Sequence, residues 1–231
     1  MVDHEVVGRF CLHGEGMGGT LGLGTMRVIL DDIPLEVDVG TASEAIEAAV
    51  AVARERGRVL VEALCDGRPA GDEHLVGGTP GAACSEVRCR SEDPGHLIRG
   101  ALLDAAAELE SLIPDQRAAC EKLWVGRTPE AMDDLKGILA RWQLARDAIE
   151  QCARAASVPL DAIGAPGGDS ASALVSMLAG DLERARSDIS AGRMVEVADL
   201  LGTDLCARAA SWVVMLRWFA GRIQATGEVA P

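Results

Sequence analysis

Cysteine and histidine are the side chains of this sequence best suited to chemistry, and their spacing limits what they can do. Cys84 and Cys89, flanked by His74 and His96, come nearest to a metal-ligand set. A structural zinc site uses ligand pairs two to four residues apart, on turns that aim both at one ion. The two thiols stand at the edge of that range and the two histidines are single and distant. Cys84 and Cys89 therefore read as residues before and within a strand, and no metal is expected. Gly14-Glu15-Gly16-Met17-Gly18-Gly19 fits the pattern G-x-G-x-x-G. A phosphate loop of that kind follows a strand and opens a helix whose N-terminus holds the anion. Thr20-Leu21-Gly22-Leu23-Gly24 is too rich in glycine to start such a helix, so no nucleotide cofactor is expected either.

A Ser or Cys nucleophile needs a base and an orienting carboxylate. The four histidines, at 4, 13, 74 and 96, are not placed where a deep pocket would form in the second half, and no G-x-S-x-G occurs. Asp133 and Asp134 are neighbours on a helix, so they point about 100° apart and sit where a helix start favours acids. Asp199 and Asp204 flank Leu200, Leu201 and Gly202 on an apolar segment, with an exposed face expected for both. No residue is assigned a catalytic, cofactor-binding or metal-binding role, and the chain is expected not to be an enzyme. The alternative is an enzyme with a pocket between two modules, where Asp199 and Arg141 would supply polar groups.

The elements that would position these groups follow from the hydrophobic rhythm, which changes at Asp93-Pro94. Before it, apolar residues alternate in short runs such as Met26–Leu30 and Leu35–Val39, as in strands. After it they recur every three or four residues, and Leu205, Ala209, Trp212, Leu216, Phe219 and Ile223 make one stripe of a packed helix. Asp31-Asp32-Ile33-Pro34 separates the first two strands as a turn. Thr41-Ala42-Ser43-Glu44 is a capping box opening a helix that carries Ala45, Ile46, Ala49, Val50 and Ala53 inward and ends at Gly57. A strand over Arg58–Leu64, the hairpin signal Asp66-Gly67 and a strand over Ser85–Arg90 follow. In the second half Pro114 predicts a kink or a restart at Asp115, and Thr128-Pro129 predicts an N-cap followed by Pro at the first helical position. A third helix capped by Asp169 or Ser170, and a fourth from about Met194 to Gln224, complete an up-and-down four-helix bundle. The fold class is α+β. The division expected is a flexible glycine-rich arm over 1–25 (with Met26 as a candidate start), a strand-rich module over 26–92, the bundle over 93–226 and a tail over 227–231.

Hydrophobic residues make up 48% of the 231-residue chain, with no Tyr, two Phe and four Trp, so the core must be built from Leu, Val, Ile and Ala. The net charge of −14 comes from 36 Asp and Glu against 22 Lys and Arg. A nucleic-acid partner requires a basic face, and neither nucleic acid nor an anionic membrane surface is expected. No apolar run approaches the roughly 20 residues that span a bilayer. The odd count of seven cysteines suits reduced thiols, and the expected location is the cytoplasm.

The order β-β-α-β…β over residues 26 to 91, from Met26-Arg27-Val28-Ile29-Leu30 through the hairpin to the capped helix, resembles the β-grasp (ubiquitin-like) family. The whole then reads as a β-grasp-like ββαββ module followed by the bundle. Gly77-Gly78 is similar to the di-glycine through which ubiquitin-like modifiers and sulfur carriers are activated. That chemistry needs the pair at a free C-terminus, whereas this sequence ends Val229-Ala230-Pro231, so the resemblance implies a binding platform. The helical half is similar in composition and helix number to small bacterial helical-bundle chaperones and adaptors, including flagellar ones. Such a resemblance implies a non-enzymatic protein–protein interaction module of adaptor or small-protein chaperone type, its partner another protein or a second copy of itself. Val214 and Trp218, off the main stripe of the last helix, are the candidate partner surface. Trp218 either packs within the chain or is left for a partner, and a plain homodimer stays open.

Overall fold

The computed structural model describes residues 26–71 and 84–223. The expected arm, His4, His13, His74, Gly77-Gly78 and the tail lie outside the described residues. Strands β1 (Arg27–Leu30), β2 (Ile33–Leu35), β3 (Val59–Cys65), β4 (Arg68–Pro69) and β5 (Glu86–Glu92) form one mixed sheet in the order β2-β1-β5-β3-β4. Helix α1 (Ala42–Glu55) lies between β2 and β3 in sequence. A helical region follows: α2 (Pro94–Trp124), α3 (Thr128–Ala155), a 3-10 turn (Leu160–Ala162), α4 (Ala171–Ser190), α5 (Met194–Asp199), a π segment (Leu200–Asp204) and α6 (Leu205–Arg222). The chain divides into two compact units, residues 1–49 with 63–89 and residues 50–62 with 90–231.

In the first unit, β1 runs antiparallel to β2 and parallel to β5, pairing Val28 with Leu35 and with Val87. Val28, Ile29 and Leu30 are all buried, as expected of an inner strand. The first hairpin is tighter than its sequence predicts. Asp31 and Asp32 both adopt positive φ, 51° and 63°, the geometry of a two-residue type I′ turn, whose twist matches that of the flanking strands. Ile33 and Pro34 therefore join β2 instead of the turn, and β2 ends at Leu35 rather than Val39. Pro34 lacks an N–H, and an edge strand tolerates that. Asp66 and Gly67, at φ 47° and 78°, close β3 on β4 in the same way. The capping box forms as read: the Glu44 N–H donates to Thr41 Oγ1 at 3.2 Å, and the Thr41 N–H donates to Glu44 Oε2 at 3.1 Å. The Gly40 N–H, donating to the same Oε2 at 2.8 Å, and then the Thr41 N–H hold the Glu44 carboxyl below its usual range. Ala45, Ile46 and Ala49 form the buried face of α1 in this unit.

In the second unit, Asp93 caps α2 by accepting the His96 N–H at 2.9 Å, with Pro94 in the first turn. The predicted restart at Asp115 does not occur, and α2 runs unbroken from Pro94 to Trp124. Pro114 and Glu110 are both exposed. The carbonyl four residues before Pro114, deprived of its amide partner, belongs to this exposed face, the side on which solvent can meet an unpaired carbonyl. Thr128 is the first residue of α3 rather than its cap; Arg127 precedes it, without a side-chain cap bond, and pairs with Glu130. Ser170 caps α4, accepting the Ala173 N–H at 3.2 Å.

Helix α2 packs against α3, α5 and α6, and α4 packs against α5 and α6. The ion pairs Lys122–Asp134 at 2.5 Å and Arg141–Glu108 at 3.0 Å fix α2 and α3 as antiparallel neighbours. Arg217–Glu110 at 2.6 Å, together with Gly202 against Cys120, does the same for α2 and α6. Exposed pairs of this kind contribute about 0–1 kcal/mol each, so packing holds the helices together. At its centre Trp142 of α3 meets Trp212 of α6 edge to face, with ring centroids 5.7 Å apart and an interplanar angle of 81°. The single last helix expected from Met194 is α5, the π segment and α6 in succession, giving five helices in place of four.

Candidate functional site

A depression in the helical unit lies between α3 and α4, a groove of about 390 Å³. Helix α3 lines it with Leu135, Leu139, Trp142 and Arg146, and α4 with Leu178, Leu182, Ala185 and Ile189. The reason is geometric. Both helices lean on a shared core, α3 through α2 and α4 through α6, leaving their mutual seam partly open. Leu178 and Trp142 are buried at its floor, whereas Leu182 and Ile189 are only half-buried and Leu139 is exposed. The floor also holds an unmet donor: the Trp142 indole N–H has no hydrogen-bond partner among the described residues. Arg146 stands at the rim, paired with Asp147 at 3.3 Å and Glu150 at 3.8 Å, and Arg186 is clamped by Glu183 at 2.6 Å. The groove is thus an apolar trough edged by neutralised charge.

Leu135 and Trp142 on α3, and Leu178, Leu182 and Ile189 on α4, recur at the helical spacing of inward-packed residues, a pattern that does not reveal the groove. Its one visible signal is Leu139, which sits four residues after Leu135 and widens the α3 stripe beyond what a close-packed seam needs.

The proposed partner residues of α6 have different fates. Val214 is exposed, at 60%. Trp218 packs against the helical core and is only partly buried, with the Arg222 guanidinium 5.2 Å above its ring centroid. Asp199 is exposed and Asp204 is half-buried, ion-paired with Arg184. Arg141 is engaged by Glu108 and by Asp115 at 2.6 Å.

A second, more polar depression of about 290 Å³ lies at the π segment, lined by Arg117, Cys120, Glu121, Trp124, Asp199 and Thr203. Gly202 makes room for it: a Cβ there would sit 2.8 Å from Cys120 Sγ. Two effects oppose each other in Gly202→Ala. Helix propensity favours Ala by about 1 kcal/mol, and overpacking costs about 1–3 kcal/mol. The variant is expected to lose up to about 2 kcal/mol in urea unfolding, and in a Cys120→Ala background the same substitution is expected to become stabilising. An equal effect in both backgrounds would show that the thiol contact does not govern this site.

Three thiols come together in the sheet unit. Cys65 ends β3, Cys84 precedes β5 and Cys89 lies within it, and all three are buried. Burial first, then hydrogen bonding with Cys84, pushes the Cys65 thiol up to about 12, and burial pushes Cys89 up to about 11. Among the described residues no group of three His, Cys, Asp or Glu side chains is placed to hold a metal ion. Asp66 stands beside the thiols, its carboxylate accepting the Ser85 hydroxyl at 2.6 Å and the Glu86 N–H at 2.9 Å. These bonds hold its carboxyl below the usual range. The stability they add is present above that range and is lost as acid protonates the group. The lowered carboxyls of Asp133 and Glu183 each answer to one Lys or Arg on the same helix, and that of Glu130 chiefly to Arg127, just before its helix.

Fold and site together define an α+β protein whose sheet precedes a helical region with an open apolar seam. A scan against protein-family models, a search of curated proteins and a search of solved structures each found no match. Among the described residues no helix is long and apolar enough to cross a membrane.

Proposed function

We propose that this chain is a non-enzymatic protein–protein interaction module, of adaptor or small-protein chaperone type, whose helical half receives an apolar helix of a partner protein in the α3–α4 groove. The observation that carries the reading is the incomplete cover of Leu139, Leu182 and Ile189 over a floor of Trp142 and Leu178. An amphipathic helix lays its apolar face into such a trough through side chains at i, i+3, i+4 and i+7. Val214, exposed on α6, extends the surface available for contact, while Trp218 acts mainly as packing. The sheet order, with β1 and β5 parallel at its centre, supports reading the first unit as a β-grasp platform, and the excess of acidic residues disfavours a nucleic-acid partner. The seven cysteines, an odd number, support a reducing compartment such as the cytoplasm.

The test is affinity capture from native cell extract with the wild type and with Leu139→Asp/Leu182→Asp. Leu139 is 37% exposed and Leu182 is only partly buried, and the helix content seen by circular dichroism is checked for each variant. The expected result is a captured protein that the double variant loses and that a control, Leu144→Asp, retains. The same proteins recovered with all three baits would refute the groove as the binding face. A second copy of this chain as occupant would appear as a dimer in sedimentation of the wild type and be lost in the double variant.

A further inference from the structure

We propose that Cys65 and Cys84 are a site of reversible disulfide formation, closed by exchange with a low-molecular-weight disulfide of the glutathione type. The argument starts from the backbone. Strands β3 and β5 are neighbours in the sheet, and adjacent strands lie about 4.8 Å apart, inside the Cα separation that a disulfide spans. The ends that carry the two cysteines are bound together closely. The Asp66 N–H donates to the Glu86 carbonyl at 2.9 Å. The Asp66 carboxylate accepts both the Ser85 N–H, at 3.2 Å, and the Ser85 hydroxyl, at 2.6 Å. The Cys84 thiol donates to the same Glu86 carbonyl at 3.0 Å. Cys65 and Cys84 therefore precede residues that are already pinned to each other, and the Cys84 thiol is near enough to help raise the titration of Cys65. Both thiols are free.

The chemistry balances without another component. One thiol, deprotonated, attacks a sulfur of the small disulfide, forming a mixed disulfide and releasing one small thiolate, which takes up the proton. The second protein thiol then gives up its proton and attacks the mixed disulfide at the protein sulfur, and a second small thiol leaves. The cysteine pair loses two electrons and two protons, and the small disulfide gains them as two thiols. Burial sets the pace. With the Cys65 thiol pushed up to about 12, the thiolate is scarce near neutrality, so closure is slow and accelerates as pH rises.

The experiment incubates the folded full-length protein with glutathione disulfide, alkylates the remaining thiols and maps tryptic peptides by mass. Arg68 precedes Pro69, which blocks cleavage, so Cys65 and Cys84 share the peptide 59–88 and Cys89 begins the next one. The expected result is loss of two hydrogen atoms from peptide 59–88, reversed by dithiothreitol, abolished in Cys65→Ala and in Cys84→Ala, and retained in Cys89→Ala. Glutathione adducts without that loss would overturn the proposal, as would a cross-link from either cysteine to Cys89 in the wild type, or complete resistance of the pair. The wild-type and Cys89→Ala arms decide the matter even if a variant at 65 or 84 fails to fold.

Discussion

Trp212→Ala is expected to remove about 3–5 kcal/mol of unfolding free energy, the usual cost of emptying a large aromatic site in a packed core. Trp212 is fully buried on α6 and meets Trp142 of α3 edge to face. It lies on the stripe that also carries Ala209, Leu216 and Phe219. Few other aromatics share the load, because the chain has only six in all. The buried core around the two rings is built mainly from Leu and Ala side chains on several helices. Trp212→Phe should cost far less. It keeps a ring against Trp142 and discards an indole N–H that is buried without a partner. A double-mutant cycle with Trp142 isolates the ring contact, with an expected coupling of about 0.5–1.5 kcal/mol. Urea unfolding followed by circular dichroism measures all of these. A loss under 1 kcal/mol for the Ala variant would mean that the two tryptophans do not form the centre of the bundle.

The second large effect has the opposite sign. Gln116 is fully buried on α2, between Leu112 and Ala119 on the inward stripe, and neither atom of its amide has a hydrogen-bond partner among the described residues. A buried polar group left unpaired costs about 1–3 kcal/mol. Leu has nearly the same volume and no polar atoms. Gln116→Leu is therefore expected to stabilise the protein by about 1–3 kcal/mol, and for a chain of this size each kcal/mol raises the thermal midpoint by about 2–4 °C. Calorimetry decides it. A lowered midpoint would show that the amide is engaged in solution.

The elements whose signals are local were legible in the sequence. Glu44 caps its own helix, Asp93 and Pro94 start the next one, and Gly57 and Gly192 end helices with φ of 67° and 71°. Each depends on residues within one turn of chain. The stripe from Leu205 to Phe219 also reads directly, because packing on one side imposes its period. What failed depends on geometry that the residue types do not encode. Asp31-Asp32-Ile33-Pro34 has turn-favouring residues at three of its four positions, and only the two positive φ angles show that the first two suffice. Leu200-Leu201-Gly202 continues a helical rhythm as well in a π turn as in an α one. The groove arises from which helices share a core, so Leu139 looked like a spare apolar residue. Cys65 drew no notice beside Cys84 and Cys89, because its nearness to Cys84 follows from strand order, not from sequence distance.

The wider turn at Leu200–Asp204 works as a gear. In a uniform helix two adjacent residues point about 100° apart, and a narrow seam can hide only one of them. Here Val197 and Ala198 are both buried, and so are Leu200 and Leu201. The five-residue turn shifts the angular phase of the backbone between α5 and α6 without interrupting the helical run. Both helices keep contact with α2 and with α4 across that shift.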